Sequence, residues 1–306
     1  MNLKELSKQK ERLESGHRLC PGCAAPIITR QVLFSTKSPV VLSMATGCLE
    51  VSTTIYPYSS WKVPWIHNAF ENAAATLSGV ETAYNALKKK GKIKKDIKFI
   101  AFGGDGGTYD IGLQSLSGTL ERGHNILYVC YDNEAYMNTG VQRSGSTPMG
   151  ANTKTAQAGK VKQGKEQFKK DLTAVVAGHH IPYAAQASPH NWFDLTRKAT
   201  KALEIDGPTF INVISPCVPG WGYPASKTVE MAKLAVDTCF WPLYEVERDV
   251  WKLNYDPKDR KVPLTDWLKP QRRFRHLFKP ENKHILEKMQ AHVDSEWEKL
   301  KKRCGV

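Results

Sequence analysis

The chain has 306 residues, 41% of them hydrophobic, seven cysteines and a formal charge of +14. That length supports a large core, as one domain or one domain with appendages; no stretch approaches the ~20 apolar residues of a membrane span, and the charged N-terminal stretch MNLKELSKQKERLESGHRLC has no apolar signal core, so a cytoplasmic protein is expected. An odd number of cysteines in that compartment points to reduced, catalytic or metal-bound thiols and not to a disulfide framework, and the dispersed lysines match no nucleic-acid-binding motif.

In chain order, residues 24–35 read as a helix after a Cys-Pro-Gly-Cys turn, and PVVLSMATG (39–47) as an apolar strand ending in small residues. HNAFENAAATLSGVETAYNALKKKGK (67–92) reads as one long alanine-rich helix, IKFIAF (97–102) as a strand, Ile111–Glu121 as a helix and NILYVCY (125–131) as a strand. Residues 132–170 form a long polar loop. DLTAVVAG then reads as a helix, YAAQA as a short strand, NWFDLTRKATKALEID as a helix and PTFINVISPC as a strand. Continuous apolar strands alternating with helices predict an α/β fold, a doubly wound, mostly parallel sheet with helices on both faces. After residue 225 tryptophan, proline and charge increase, and a polar helix runs from about 281 to 302. Residues 1–225 are therefore expected to form the binding domain, and 226–306 a C-terminal arm and helix packing on a partner chain.

In such a fold ligands bind outside the carboxyl ends of the strands. The turn AFGGDGGTYDIG (101–112), the loop from Asp132, Cys48 and Cys217 all stand at such ends. A carboxylate among glycines repels phosphate unless a divalent cation lies between them, and Mg²⁺ is held by a few protein oxygens plus substrate phosphates. Asp105 is the carboxylate, and Asn133, one β-α-β crossover later, offers a second oxygen. Gly-Asp-Gly followed at that spacing by Asn is the pattern of thiamine diphosphate enzymes. Two nearby matches are decoys. GGDGGTY places Tyr109 where a dinucleotide fingerprint needs its third glycine, and GKVKQGKE (159–166) has Glu166 where a nucleotide loop needs Ser or Thr. Cys20 and Cys23 share a C-x-x-C turn; with Cys48 and Cys217 they supply four thiolates, enough for a tetrahedral zinc site or a [4Fe–4S] cluster. An electron acceptor belongs beside the cofactor crevice, whereas a structural zinc has no reason to be there. Cys130, Cys239 and Cys304 read as small core or surface residues.

The segments GHRLCPGCAAPI, ATGCLEVSTTIYPYSSWKVPWIHNAFENAAA, AFGGDGGTYDIG through NTGVQRSGSTPMGA, GPTFINVISPCVPGW and LAVDTCFWPLYEVE closely resemble the β subunit of 2-oxoacid:ferredoxin oxidoreductases, nearest the pyruvate branch. The resemblance covers most of the chain from Gly16 to Glu247. It implies a thiamine-diphosphate-binding fold carrying thiamine diphosphate, Mg²⁺ and one [4Fe–4S] cluster. Carried over by position, Cys20, Cys23, Cys48 and Cys217 are the cluster ligands. Asp105 and Asn133 are side-chain Mg²⁺ ligands and Ala135 gives a backbone carbonyl; Thr46, Gly47, Gly104, Gly106 and Gly107 line the cofactor, and Asn138 faces the substrate. The first motif departs from the family at Ala24, where relatives often have glycine. The implied reaction is oxidative decarboxylation of a small 2-oxoacid, pyruvate first, with oxalate or another 2-oxoacid as alternatives. Electrons leave through the cluster to ferredoxin and coenzyme A takes the acyl group. The implied partners are an α subunit supplying the activating glutamate and γ/δ-type subunits, one of them ferredoxin-like. Acidic ferredoxins would be steered towards a basic complex. Within this chain Glu71 is the one candidate for that glutamate, with His67 on the same helical face. A non-redox thiamine diphosphate decarboxylase or carboligase with a structural zinc is the alternative.

Overall fold

The computed structural model describes residues 3–306, and of Leu3 the backbone alone; the first two residues of the charged N-terminal stretch lie outside it. One eight-stranded sheet runs through the molecule: β1 (Val40–Ala45), β2 (Trp65–Asn68), β3 (Lys98–Gly104), β4 (Leu127–Asp132), β5 (Tyr183–Ala187), β6 (Thr209–Ile214), β7 (Tyr244–Glu247) and β8 (Val250–Leu253). Their spatial order is β2-β1-β3-β4-β6-β5-β7-β8, parallel through the first six and antiparallel at β7 and β8. The helices are α1 (Leu3–Leu6), α2 (Ala25–Leu33), α3 (Cys48–Thr53), α4 (Ala73–Lys89), α5 (Leu113–Glu121), α6 (Leu172–Ala177), α7 (Trp192–Glu204), α8 (Thr228–Asp237), α9 (Leu264–Leu268) and α10 (Lys283–Arg303).

All six residues of β4 and all six of β6 are buried, which is why both read as unbroken apolar runs. Alternate side chains feed opposite faces. Ile100, Phe102, Val129 and Tyr131 pack with α2, α3 and α7. Phe99, Ala101, Tyr128 and Cys130 pack with α4, α5, α6 and the helices after residue 225.

Two expectations change. The helix read over 67–92 starts only at Ala73, because Trp65–Asn68 pairs in parallel with β1. The Asn68 amide donates to Ser43 Oγ at 2.7 Å, and this pairing overrides the helical pattern. His67 is therefore a strand residue and shares no helical face with Glu71. Residues 226–306, expected as an arm, supply α8, two strands of the sheet and α10, which buries Met289, Val293, Trp297 and Leu300 in the same core as Trp221. The apolar side chains at those i, i+4, i+8 and i+11 positions pack into this chain's own core. Among the described residues no helix is long and apolar enough to cross a membrane.

Candidate active site

The chain leaves β1 for β2 on one side and crosses to β3 and β4 on the other, so the strand order reverses between β1 and β3. A crevice opens at the carboxyl ends there, as this topology dictates. Thr46, Gly47, Gly104, Asp105, Gly106, Gly107, Asn133, Ala135 and Asn138 all line it, with Cys48 at its edge. The glycines let aromatic rings come close. A Cβ on Gly106 would stand 2.4 Å from the ring of Tyr136, whose hydroxyl donates to the Gly106 carbonyl at 3.0 Å.

Asp105 is fully buried. Its Oδ2 accepts from the Ser144 hydroxyl at 2.5 Å and its Oδ1 from the Asn133 backbone N–H at 3.2 Å. Burial above all, then repulsion from Asp132, pushes its carboxyl well above the usual range, and the Ser144 hydrogen bond opposes this. One terminal atom of the Asn133 amide lies 2.8 Å from both Asp105 Oδ1 and the Ala135 carbonyl oxygen. As nitrogen it donates to both; turned over, its oxygen would join theirs as a third converging acceptor for a cation. Adjacent oxygens around an octahedral Mg²⁺ at ~2.1 Å stand about 3.0 Å apart, close to this spacing. The donor set therefore fits a hard divalent cation.

Cys20 and Cys23 sit on the turn before α2, Cys48 opens α3 and Cys217 follows β6. All are free thiols; Cys20 is exposed and the other three are partly buried. Burial raises Cys217 to about 12, with Cys48, Cys23 and Cys20 each adding repulsion, and burial raises Cys23 to about 11. Four thiols from three separate segments are thus within electrostatic reach of one another. They are not closed into a cage: among the described residues no group of three or more His, Cys, Asp or Glu side chains stands in metal-holding geometry. Cys130 is buried in β4, as its place in an apolar strand requires.

Residues 45–213 match the family model for the C-terminal, thiamine-pyrophosphate-binding domain of thiamine pyrophosphate enzymes. The pyruvate synthase subunit PorB of Thermotoga maritima is 57% identical over 98% of this chain and 95% of its own length. The PorB of Methanocaldococcus jannaschii is 52% identical over 94% and 95%. The chain belongs to the β-subunit family of 2-oxoacid:ferredoxin oxidoreductases. A ketoisovalerate oxidoreductase subunit VorB from Pyrococcus abyssi is 44% identical over 97% of this chain and 94% of its own. A solved 2-oxoglutarate:ferredoxin oxidoreductase from Magnetococcus marinus shares the fold, with a TM-score of 0.55 over 72% of this chain and 79% of that one at 19% identity. The β subunit is thus part of a thiamine-diphosphate-dependent oxidoreductase of 2-oxoacids.

Several residues of this β subunit's site escaped the sequence reading. Phe70, Tyr131, Tyr136 and Met137 also line the crevice. The Tyr131 hydroxyl is buried, 2.8 Å from where a Gly47 Cβ would stand. Burial raises the Cys48 thiol, and a hydrogen bond from the Asn138 amide opposes this, so Asn138 reaches the sulfur at the crevice edge. Glu71 is exposed on the turn before α4 and outside the crevice; His67 is also exposed, its Nδ1 2.8 Å from Glu50 Oε1. Behind the crevice, the polar loop 132–170 holds a charge network no periodicity would reveal. Lys169 pairs with Asp132 at 2.8 Å and Glu134 at 3.2 Å, both fully buried. Lys165, lowered to about 8 by burial, donates to the Gly145 carbonyl at 3.2 Å and the Thr147 carbonyl at 2.5 Å.

Proposed function

We propose that this chain is the catalytic β subunit of a pyruvate:ferredoxin oxidoreductase, holding thiamine diphosphate, Mg²⁺ and one [4Fe–4S] cluster in the cytoplasm. The convergence of Asp105, Asn133 and Ala135 oxygens carries the reading. Asp105 is a buried carboxylate with no cationic partner in salt-bridge reach among the described residues, and a buried charge requires compensation. Mg²⁺ on these three oxygens supplies it and presents the cation to a diphosphate at the Gly104–Gly107 turn. When bound, thiamine diphosphate provides the electron sink for decarboxylating a 2-oxoacid. The chain's own residues bind and orient: Thr46 and Gly47 border the crevice, the Tyr136 ring closes over Gly106, and Asn138 stands where an amide can meet a substrate carboxylate or carbonyl.

Cys20, Cys23, Cys48 and Cys217 are the proposed cluster ligands. Their mutual repulsion as thiolates is what four iron–sulfur bonds would relieve. Glu71 is exposed and outside the crevice lining, so the carboxylate for the aminopyrimidine is assigned to a partner α subunit. Ferredoxin-like γ/δ subunits, ferredoxin and coenzyme A complete the proposed assembly. Pyruvate is the first substrate because both PorB relatives cover nearly the whole chain at higher identity than the ketoisovalerate relative.

The test is anaerobic purification with the partner subunits, followed by iron, sulfide, zinc, magnesium and thiamine diphosphate analysis. Iron and sulfide accompanied by stoichiometric thiamine diphosphate are expected. Zinc without sulfide would replace this reading with a non-redox decarboxylase.

A further inference from the structure

Glu134 lies between two residues that face the crevice and points the opposite way. It is fully buried, and its φ of +69° is a left-handed conformation that a non-glycine residue adopts only when its surroundings hold it there. The polar groups around Glu134 are held by partners from elsewhere in the chain. The Glu134 N–H donates to Asp132 Oδ1 at 3.1 Å, and its carbonyl accepts from Thr147 Oγ1 at 2.7 Å. Its carboxylate takes Lys169 on Oε1 at 3.2 Å and Arg273 on Oε2 at 2.5 Å. The Asn133 carbonyl accepts from the Trp221 indole at 2.8 Å, and the Arg273 guanidinium stacks 4.2 Å over the same indole. With these groups engaged, the Asn133 side chain and the Ala135 carbonyl are left to converge on Asp105.

We propose that Arg273 is a positioning residue for the Mg²⁺-binding loop. From the segment between α9 and α10 it clamps Glu134 and backs Trp221, so the C-terminal part of the chain sets the spacing of the Asn133 and Ala135 oxygens. The inference rests on the Mg²⁺ reading above. It makes metal affinity depend on a residue 139 positions away in sequence from the one it grips. Arg suits the task better than Lys because its planar fork pairs with the carboxylate while its face stacks on the indole.

The experiment uses the complex purified with its partner subunits, stripped with EDTA and titrated with Mn²⁺, free Mn²⁺ being read by EPR and retained thiamine diphosphate by fluorescence. Loss of an outer partner of a metal ligand typically costs 10–100-fold in affinity. Arg273→Met should weaken Mn²⁺ binding by roughly that factor while turnover at saturating Mg²⁺ and cofactor stays near wild type; Arg273→Lys should recover part of the loss. Trp221→Phe, which removes the donor to the Asn133 carbonyl and keeps an aromatic ring under Arg273, should shift affinity in the same direction. Val246→Ala, which loosens the same core from β7 on the antiparallel edge of the sheet, should lower the melting temperature and leave Mn²⁺ affinity unchanged. Wild-type affinity in Arg273→Met, or in Trp221→Phe should the Arg273 variants not fold, would overturn the proposal, as would an equal loss in Val246→Ala. Mn²⁺ uptake identical in wild type and Asp105→Ala would instead overturn the Mg²⁺ reading, and this inference with it.

Discussion

At the scale of the residue, Asp105 shows how a site accepts a folding cost for binding. A fully buried carboxylate without a salt-bridge partner is unfavourable until a cation arrives. Asp105→Asn should therefore abolish Mg²⁺ and thiamine diphosphate retention while leaving the melting temperature of the cofactor-free protein unchanged or raised, a pairing calorimetry and cofactor analysis would read together. A lowered apo melting temperature with full cofactor content would contradict the assignment. Gly106 makes a steric prediction. Gly106→Ala brings a methyl to 2.4 Å from the Tyr136 ring, which has to leave the crevice edge, so thiamine diphosphate affinity should fall by at least tenfold with an unchanged circular dichroism spectrum. The crevice residues were legible because Gly-Asp-Gly and Asn have few other reasons to occur after consecutive strands. Glu134, Lys169 and Arg273 were not. Their significance lies in a contact between the loop after β4 and the segment before α10, and a charged residue in a polar loop looks the same whether it faces water or a buried partner.

At the scale of the element, strands β1, β3, β4, β5 and β6 could be read from the sequence because burial on both faces writes an apolar run. β2 could not: its exposed Ile66 and His67 remove that signal, and only pairing with β1 defines it. The junction between β5 and α7 carries a pH prediction. His190 is lowered to about 4, chiefly by burial, and its Nδ1 lies 2.8 Å from Ser188 Oγ. Its ring is neutral in the fold, while the unfolded chain takes up a proton below about 6.5. Stability from this group is thus complete above pH ~6.5 and lost as pH falls towards 4. His190→Gln should show a flatter dependence than wild type across that window in urea titrations; identical slopes would remove His190 as the cause. At the strand ends, Cys217→Ala should lose the cluster signal in reduced-state EPR, whereas Cys130→Ala, inside β4, should keep it. The reverse pattern would reject the ligand set.

At the scale of the whole molecule, residues 226–306 complete the sheet and cover one face of it, so the site and the C-terminal helix share one core. Trp297, buried on α10, ties the two together, and Trp297→Ala should cost about 3–5 kcal/mol of stability by urea unfolding. A cost near zero would mean that α10 packs elsewhere in solution. The sequence misread this region because its tryptophans and prolines break the strand–helix alternation that marks the first 225 residues. The account's central claim is that the crevice between β1, β3 and β4 binds thiamine diphosphate through Asp105 for oxidation of a 2-oxoacid. Its most direct test is anaerobic reduction of a viologen by the purified complex, offered pyruvate and a panel of other 2-oxoacids with coenzyme A. The account predicts pyruvate-dependent reduction in wild type and none in Asp105→Ala; viologen reduction that survives in Asp105→Ala, or cofactor-loaded wild type inert towards every 2-oxoacid, would contradict it.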